Sequence, residues 1–148
     1  MKAIILASGS PRRSEILTHM GVAFEKQAAN VDEHCDLGAW EAVAELSCRK
    51  ALAVAAHFPG RVVLAADTLV ALENRPLGKP KDEEDACRML ERLSGREHQV
   101  YTGVCVVDAQ GRVMQAVDAS NVCFRAITED EIRAYVATGE PMDKAGAY

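Results

Sequence analysis

Near the N-terminus the chain reads Ala3-Ile4-Ile5-Leu6-Ala7-Ser8-Gly9-Ser10-Pro11-Arg12-Arg13-Ser14-Glu15-Ile16-Leu17-Thr18-His19-Met20. Five apolar or small residues, 3–7, read as a short buried strand. Pro11 suits the first turn of a helix over about 11–20, and Ser10 stands where a side-chain cap is expected. A strand that turns directly into a helix start is a unit of α/β folds. It also makes an anion site, because a helix N-terminus carries backbone N–H groups and positive partial charge. Two arginines and two hydroxyls at that point suit a polyphosphate.

The elements expected downstream keep the same alternation. Residues 22–27 read as a second strand, and 30–38 as a polar, acidic loop. A long helix is expected over about 39–57, with Val43, Leu46, Ala51 and Val54 at helical spacing. The run 61–66 reads as a buried strand continued by 69–72, with a hairpin-like turn at 73–75. A third helix spans about 82–93 and ends at Gly95. Two strands, 99–107 and 112–125, flank a turn at Ala109-Gln110-Gly111, and Thr128-Glu129-Asp130-Glu131 forms a capping box for a last helix. The order indicates an α/β or α+β fold on a mixed sheet.

With 148 residues and 49% hydrophobic composition, the chain makes one ordinary domain with a real core. A formal net charge of −5 argues against a general binder of nucleic acid polymers. Five cysteines without a C-x-x-C pair argue against a zinc cluster and suit reduced thiols in the cytoplasm. Cys105 and Cys123, both in strand-like runs, are expected in the core. No run approaches the length of a membrane span or a secretory leader.

Two charged residues stand out against apolar surroundings. Asp67 lies inside the run Val62 to Leu72, where an unpaired carboxylate is costly. It is either a structural acceptor at a strand end or a metal ligand or general base. Lys50 lies beside the apolar stripe of the long helix; its stem either packs there with the ammonium in water, or the ammonium reaches toward phosphate. Lys79, in Leu77-Gly78-Lys79-Pro80, and Asp32-Glu33, in the acidic loop, are weak signals singly. Together, Glu33 and Asp67 could hold Mg²⁺ or Mn²⁺ while Arg12, Arg13, Lys50 and Lys79 surround a triphosphate. No G-x-x-x-x-G-K-[ST] loop is present, and Trp40 and the tyrosines form no stacking platform.

In combination these residues resemble the Maf family of nucleoside triphosphate pyrophosphatases. The resemblance rests on Leu6 to Arg13, Val31-Asp32-Glu33, Lys50-Ala51, Ala66-Asp67-Thr68, Gly78-Lys79-Pro80, Leu93-Ser94-Gly95, His98 to Val104 and Asp143 to Tyr148. It implies a Maf/ITPase-like α/β fold, a mixed twisted sheet with flanking helices and two lobes around a cleft. It implies hydrolysis between the α and β phosphates with a divalent metal, yielding a monophosphate and pyrophosphate. Carried onto this chain, Asp67 accepts the proton from water and shares the metal with Glu33. Ser8, Arg13, Lys50, Lys79 and Lys144 bind phosphate. The pairing of Ser-Gly-Ser-Pro-Arg-Arg with Asp-Thr resembles the dTTP/UTP branch, in which Arg12 and Thr68 influence base choice. The family also implies a homodimer. Its members continue after Ala-Gly-Ala-Tyr through a Gly-Ile-Gln-Gly segment, so residues 1–148 are expected to be a single Maf-like domain without that segment. The alternative expectation is a catalytically impaired nucleotide-binding regulator of septum formation and cell division.

Overall fold

The computed structural model describes residues 2–148. Six strands and four α-helices follow in order: β1 (Ile4–Leu6), α1 (Pro11–His19), β2 (Phe24–Lys26), α2 (Ala39–Ala55), β3 (Val63–Leu72), β4 (Arg75–Leu77), α3 (Glu83–Leu93), β5 (Glu97–Val107), β6 (Val113–Cys123) and α4 (Glu129–Ala137). Two 3-10 turns, Glu140–Asp143 and Ala145–Ala147, follow α4. The strands form one mixed sheet in the order β2-β1-β3-β5-β6, with β4 paired to β3. β1 runs parallel to both β2 and β3, with Ile4 opposite Phe24 and Ile5 opposite Val63. The α/β expectation with a mixed sheet therefore holds.

The chain divides into two compact units. The first comprises residues 1–37, 41–67 and 102–117. Its core joins Ile5 and Ala7 of β1, Ala51 and Val54 of α2, Val63 and Ala65 of β3, and Cys105 and Val107 of β5. Many of these side chains are small, so strand and helix backbones come close. Gly103 shows how close: a Cβ there would stand 2.1 Å from the Val43 carbonyl oxygen.

The second unit comprises residues 38–40, 68–101 and 118–148. Here α3 and α4 face each other through Ala86, Met89, Leu90, Ile132 and Val136, with Ala147 beside them. Both helices are capped by side chains, α4 by the box expected for it and α3 by Asp82, expected as its first residue. Asp82 accepts from the Asp85 amide, and Thr128 and Glu131 form the reciprocal capping box. Gly95, just beyond α3, takes a left-handed φ of 67°. His98 is fully buried against Phe124 and Tyr148, its Nε2 2.6 Å from the Tyr148 hydroxyl, and burial pulls its pKa down.

Two expectations are corrected. β4 lies where only a turn was expected: Glu73 and Asn74, both at positive φ, form a two-residue hairpin turn, and Arg75-Pro76-Leu77 pairs with β3. Pro76 disguised it, because proline sits only on strands with no inner ladder to complete. Cys123 is exposed, since β6 is an edge strand open along its length, whereas Cys105 is fully buried. None of the five cysteines is joined in a disulfide, and Cys48 Sγ lies 2.9 Å from Cys105 Sγ. β6 runs unbroken over Val113–Cys123. Among the described residues, no helix is long and apolar enough to cross a membrane.

Candidate active site

The turn from β1 into α1 brings backbone and hydroxyl groups to one side of a cavity. Ser8 is buried, and its Oγ accepts from both the Ser10 amide and Arg13 Nη1, each at 3.1 Å. The two donors fix the loop and aim the guanidinium. Ser10 occupies the N-cap position with extended backbone, but its side chain makes no capping bond. Pro11 at the first helical position removes one of the amides needing a partner, and Ser8 holds Ser10 through its backbone instead. The Ser10 side chain thus lines the cavity.

That cavity, of about 320 Å³, belongs wholly to the first unit. It is lined by Ser8, Gly9, Ser10 and Arg13 on one side and by Glu33 and Lys50 on another, with Ala28 and Ala29 between. Arg13 is cationic but desolvated: burial lowers its pKa, Asp67 and Glu33 oppose that, and Arg12 adds to it.

The Lys50 ammonium ends on two carboxylates rather than in open water. Its ammonium lies 2.7 Å from Asp67 Oδ1 and 2.5 Å from Glu33 Oε1, with only 14% of the side chain exposed. Burial works against its charge, but the hydrogen bonds to the two carboxylates outweigh this and raise its pKa above the ordinary lysine value. α2 supplies the lysine, β3 the buried Asp67, and the acidic loop the exposed Glu33. One cation thus joins two carboxylates from distant parts of the sequence.

The remaining expected residues lie elsewhere. Arg12 is exposed on α1. Thr68 follows Asp67 on β3 and is exposed where Asp67 is buried. Lys79 is exposed in the loop after β4, and the Gly146 amide donates to the Gly78 carbonyl, tying the Lys79 loop to the segment that carries Lys144. Lys144 Nζ donates to the Glu140 carbonyl at 2.7 Å and lies 3.5 Å from Asp143. Thr68, Lys79 and Lys144 all belong to the second unit.

The sequence reading missed the Ala28-Ala29 wall and Arg49. Small residues after a strand were the only signal for the first. For Arg49 the signal was its spacing of four from Glu45, with which it pairs on α2. Its Nη1 also donates to the carbonyls of Asp32 and His34.

The donor set bears on metal binding. Among the described residues no three His, Cys, Asp or Glu side chains converge. Glu33 and Asp67 do converge on one positive charge, that of Lys50, and offer only hard oxygen donors. Mg²⁺ is commonly held by one or two carboxylates, with substrate phosphates and water completing its shell. The pair fits such an ion.

The fold is one found among known structures. The model superposes on the Staphylococcus aureus Ham1 protein with a TM-score of 0.59 at 16% identity, covering 81% of this chain and 70% of that one. It superposes on a nucleoside-triphosphatase / dITP/XTP pyrophosphatase from Mycobacterium abscessus with a TM-score of 0.53 at 18% identity, covering 81% and 72%. The sequence narrows this further. The family model described as Maf-like protein matches residues 3–148, and the chain belongs to the Maf family. Over its full length it is 50% identical to a dTTP/UTP pyrophosphatase of Pelotomaculum thermopropionicum, covering 79% of that protein. It is 48% identical to one from Geobacillus sp. strain WCH70, covering 80%.

Proposed function

We propose that the chain hydrolyses dTTP and UTP to the nucleoside monophosphate and pyrophosphate, by attack of water between the α and β phosphates. The observation that carries this reading is the Glu33–Lys50–Asp67 cluster, two of whose members, Glu33 and Lys50, line the same cavity as the Ser8–Arg13 pair. The names of the Pelotomaculum and Geobacillus relatives supply the substrates.

Each residue then has a physical task. Asp67 is carried on a rigid strand and takes the proton from the attacking water. Lys50 balances the charge of the two neighbouring carboxylates and offers positive charge to phosphate oxygens as they gain charge. Ser8 and Arg13 hold phosphate at the start of α1. Glu33 and Asp67 would hold a divalent ion, Mg²⁺ or Mn²⁺. When bound, it neutralises phosphate charge and polarises the phosphoryl oxygen. By resemblance to the family's blocks, Lys79 and Lys144 would bind phosphate, and Arg12 and Thr68 would influence base choice. A cytoplasmic setting accords with five free thiols. A homodimer completes the reading, and size-exclusion chromatography with light scattering tests it.

The test is pyrophosphate release from a panel of nucleoside triphosphates with Mg²⁺ or Mn²⁺. dTTP and UTP are expected to turn over fastest. Asp67→Asn is expected to lower kcat by about 10²–10⁴-fold, the usual worth of a general base. A wild-type rate no higher than that of Asp67→Asn would overturn the proposal.

A further inference from the structure

Glu33 poses a positioning problem. It stands in a stretch without helix or strand, and its side chain is 62% exposed. A carboxylate on such a segment would sample many positions, at an entropic cost to any ion it must hold. Yet both peptide groups that border it are restrained. Arg49 Nη1 donates to the Asp32 carbonyl at 2.7 Å and to the His34 carbonyl at 3.1 Å. The Asp32 side chain accepts from the His34 amide at 2.9 Å, closing an Asx turn around Glu33. Arg49 is itself braced, its Nη2 3.1 Å from Glu45 Oε1 one helical turn earlier. Successive positions of α2 thus serve the same loop in different ways: Lys50 meets the Glu33 carboxylate, and Arg49 grips the backbone on either side of it. A guanidinium suits this task, because its donors are fixed in a plane and it stays charged at every working pH.

We propose that Arg49 is a positioning residue, whose grip on the Asp32 and His34 carbonyls sets where the Glu33 carboxylate stands for the divalent ion. This rests on the reading above that Glu33 helps hold that ion. Arg49 touches neither substrate nor reacting atoms; it acts through Glu33.

Mn²⁺ titration of the full chain, followed by electron paramagnetic resonance, tests this with wild type, Arg49→Ala, Arg49→Lys, Glu33→Gln and the Arg49→Ala/Glu33→Gln double variant. Arg49→Ala is expected to weaken Mn²⁺ binding by about 10–100-fold, the usual range for a residue supporting a ligand. Arg49→Lys, which keeps the charge and can still donate to carbonyls, should recover most of the loss. In the Glu33→Gln background Arg49→Ala should add nothing, because both changes remove one function. Amide hydrogen exchange over residues 31–35 should quicken in Arg49→Ala while that of α2 stays unchanged. Wild-type binding in Arg49→Ala, or an equal loss with and without Glu33, overturns the proposal; if Arg49→Ala does not fold, Arg49→Gln takes its place with the same two criteria. Dependence on Arg49 in a chain that turns over no triphosphate would leave the clamp standing and overturn the functional reading. Turnover in a chain whose Mn²⁺ binding ignores Arg49 would do the reverse.

Discussion

Lys50 carries the charge balance of the first unit. Two carboxylates meet at its ammonium, and one of them, Asp67, is buried. Replacing Lys50 by Met keeps the apolar stem but leaves Asp67 without its counter-ion, and breaking a buried pair typically costs 3–5 kcal/mol. Because Glu33 is well exposed, the loss here is expected to be about 2 kcal/mol, read from the midpoint of urea unfolding. Adding Asp67→Asn to Lys50→Met should restore part of the stability and none of the turnover. The sign with pH follows from the raised lysine pKa. Lys50's contribution is fully present below the unfolded value of 10.5 and fades as pH rises through the higher folded value. Cys105 behaves in the same direction. Burial, then its contact with Cys48, pushes its thiol up to about 12, so its stabilising share is full below the ordinary value of 9.0 and is lost as pH climbs toward 12. Iodoacetamide at pH 8 is therefore expected to label exposed Cys123 on native protein and to spare Cys105, as peptide mass spectrometry would show. Equal labelling of both would contradict the burial argument.

At the scale of elements, the close approach of β5 to α2 is set by a single missing side chain. Gly103→Ala would bring its Cβ to 2.1 Å from the Val43 oxygen and 2.5 Å from its carbonyl carbon. Backbone cannot swing aside as a flexible side chain can, so strand and helix must part. The cost is expected to reach about 4 kcal/mol, among the largest that single substitutions show, measured by thermal or urea unfolding. A change below about 1 kcal/mol would mean that the interface yields easily. This constraint was not legible in the sequence, where Gly103 is one glycine inside a strand. What was legible was periodicity and punctuation. α3 showed its buried face at Ala86, Met89, Leu90 and Leu93, and α4 announced itself through its capping box. β4 escaped because three residues containing a proline have no period to read. Cys123 was misplaced because alternation along a strand does not reveal which strand will lie at the sheet edge. In the site, Asp67 and Lys50 were legible as charges in apolar surroundings. They were also expected at one site, but their direct pairing was not legible, because 17 positions and a helix-to-strand connection separate them. Arg49 was invisible for a further reason: its partners are backbone carbonyls, which every residue carries.

For the whole molecule, the formal charge of −5, from 17 basic and 22 acidic residues, sets a global field against a local one. On the proposed reading a triphosphate is repelled by the net charge at long range and drawn at short range by Arg13, and by Lys50 once a divalent ion offsets Glu33 and Asp67. The screening length decides between them. It is about 10 Å at 0.1 M salt and about 3 Å at 1 M. The cavity is about 7 Å across, taken as the cube root of its volume of about 320 Å³. Near 0.1 M, therefore, the global repulsion is already largely screened while attraction inside the cavity persists. Raising salt from 0.1 M toward 1 M weakens what is left, the attraction. KM for dTTP at fixed, saturating Mg²⁺ is expected to rise several-fold across this range, with kcat nearly constant once the nucleotide is bound. Arg13→Gln should raise KM at 0.1 M and flatten its dependence on salt, because the charge being screened is gone. Steady-state kinetics at constant pH, with the chloride salt varied, makes the measurement. A KM that falls with salt would show that the acidic surface, rather than the cations of the cavity, governs how the anionic substrate is received.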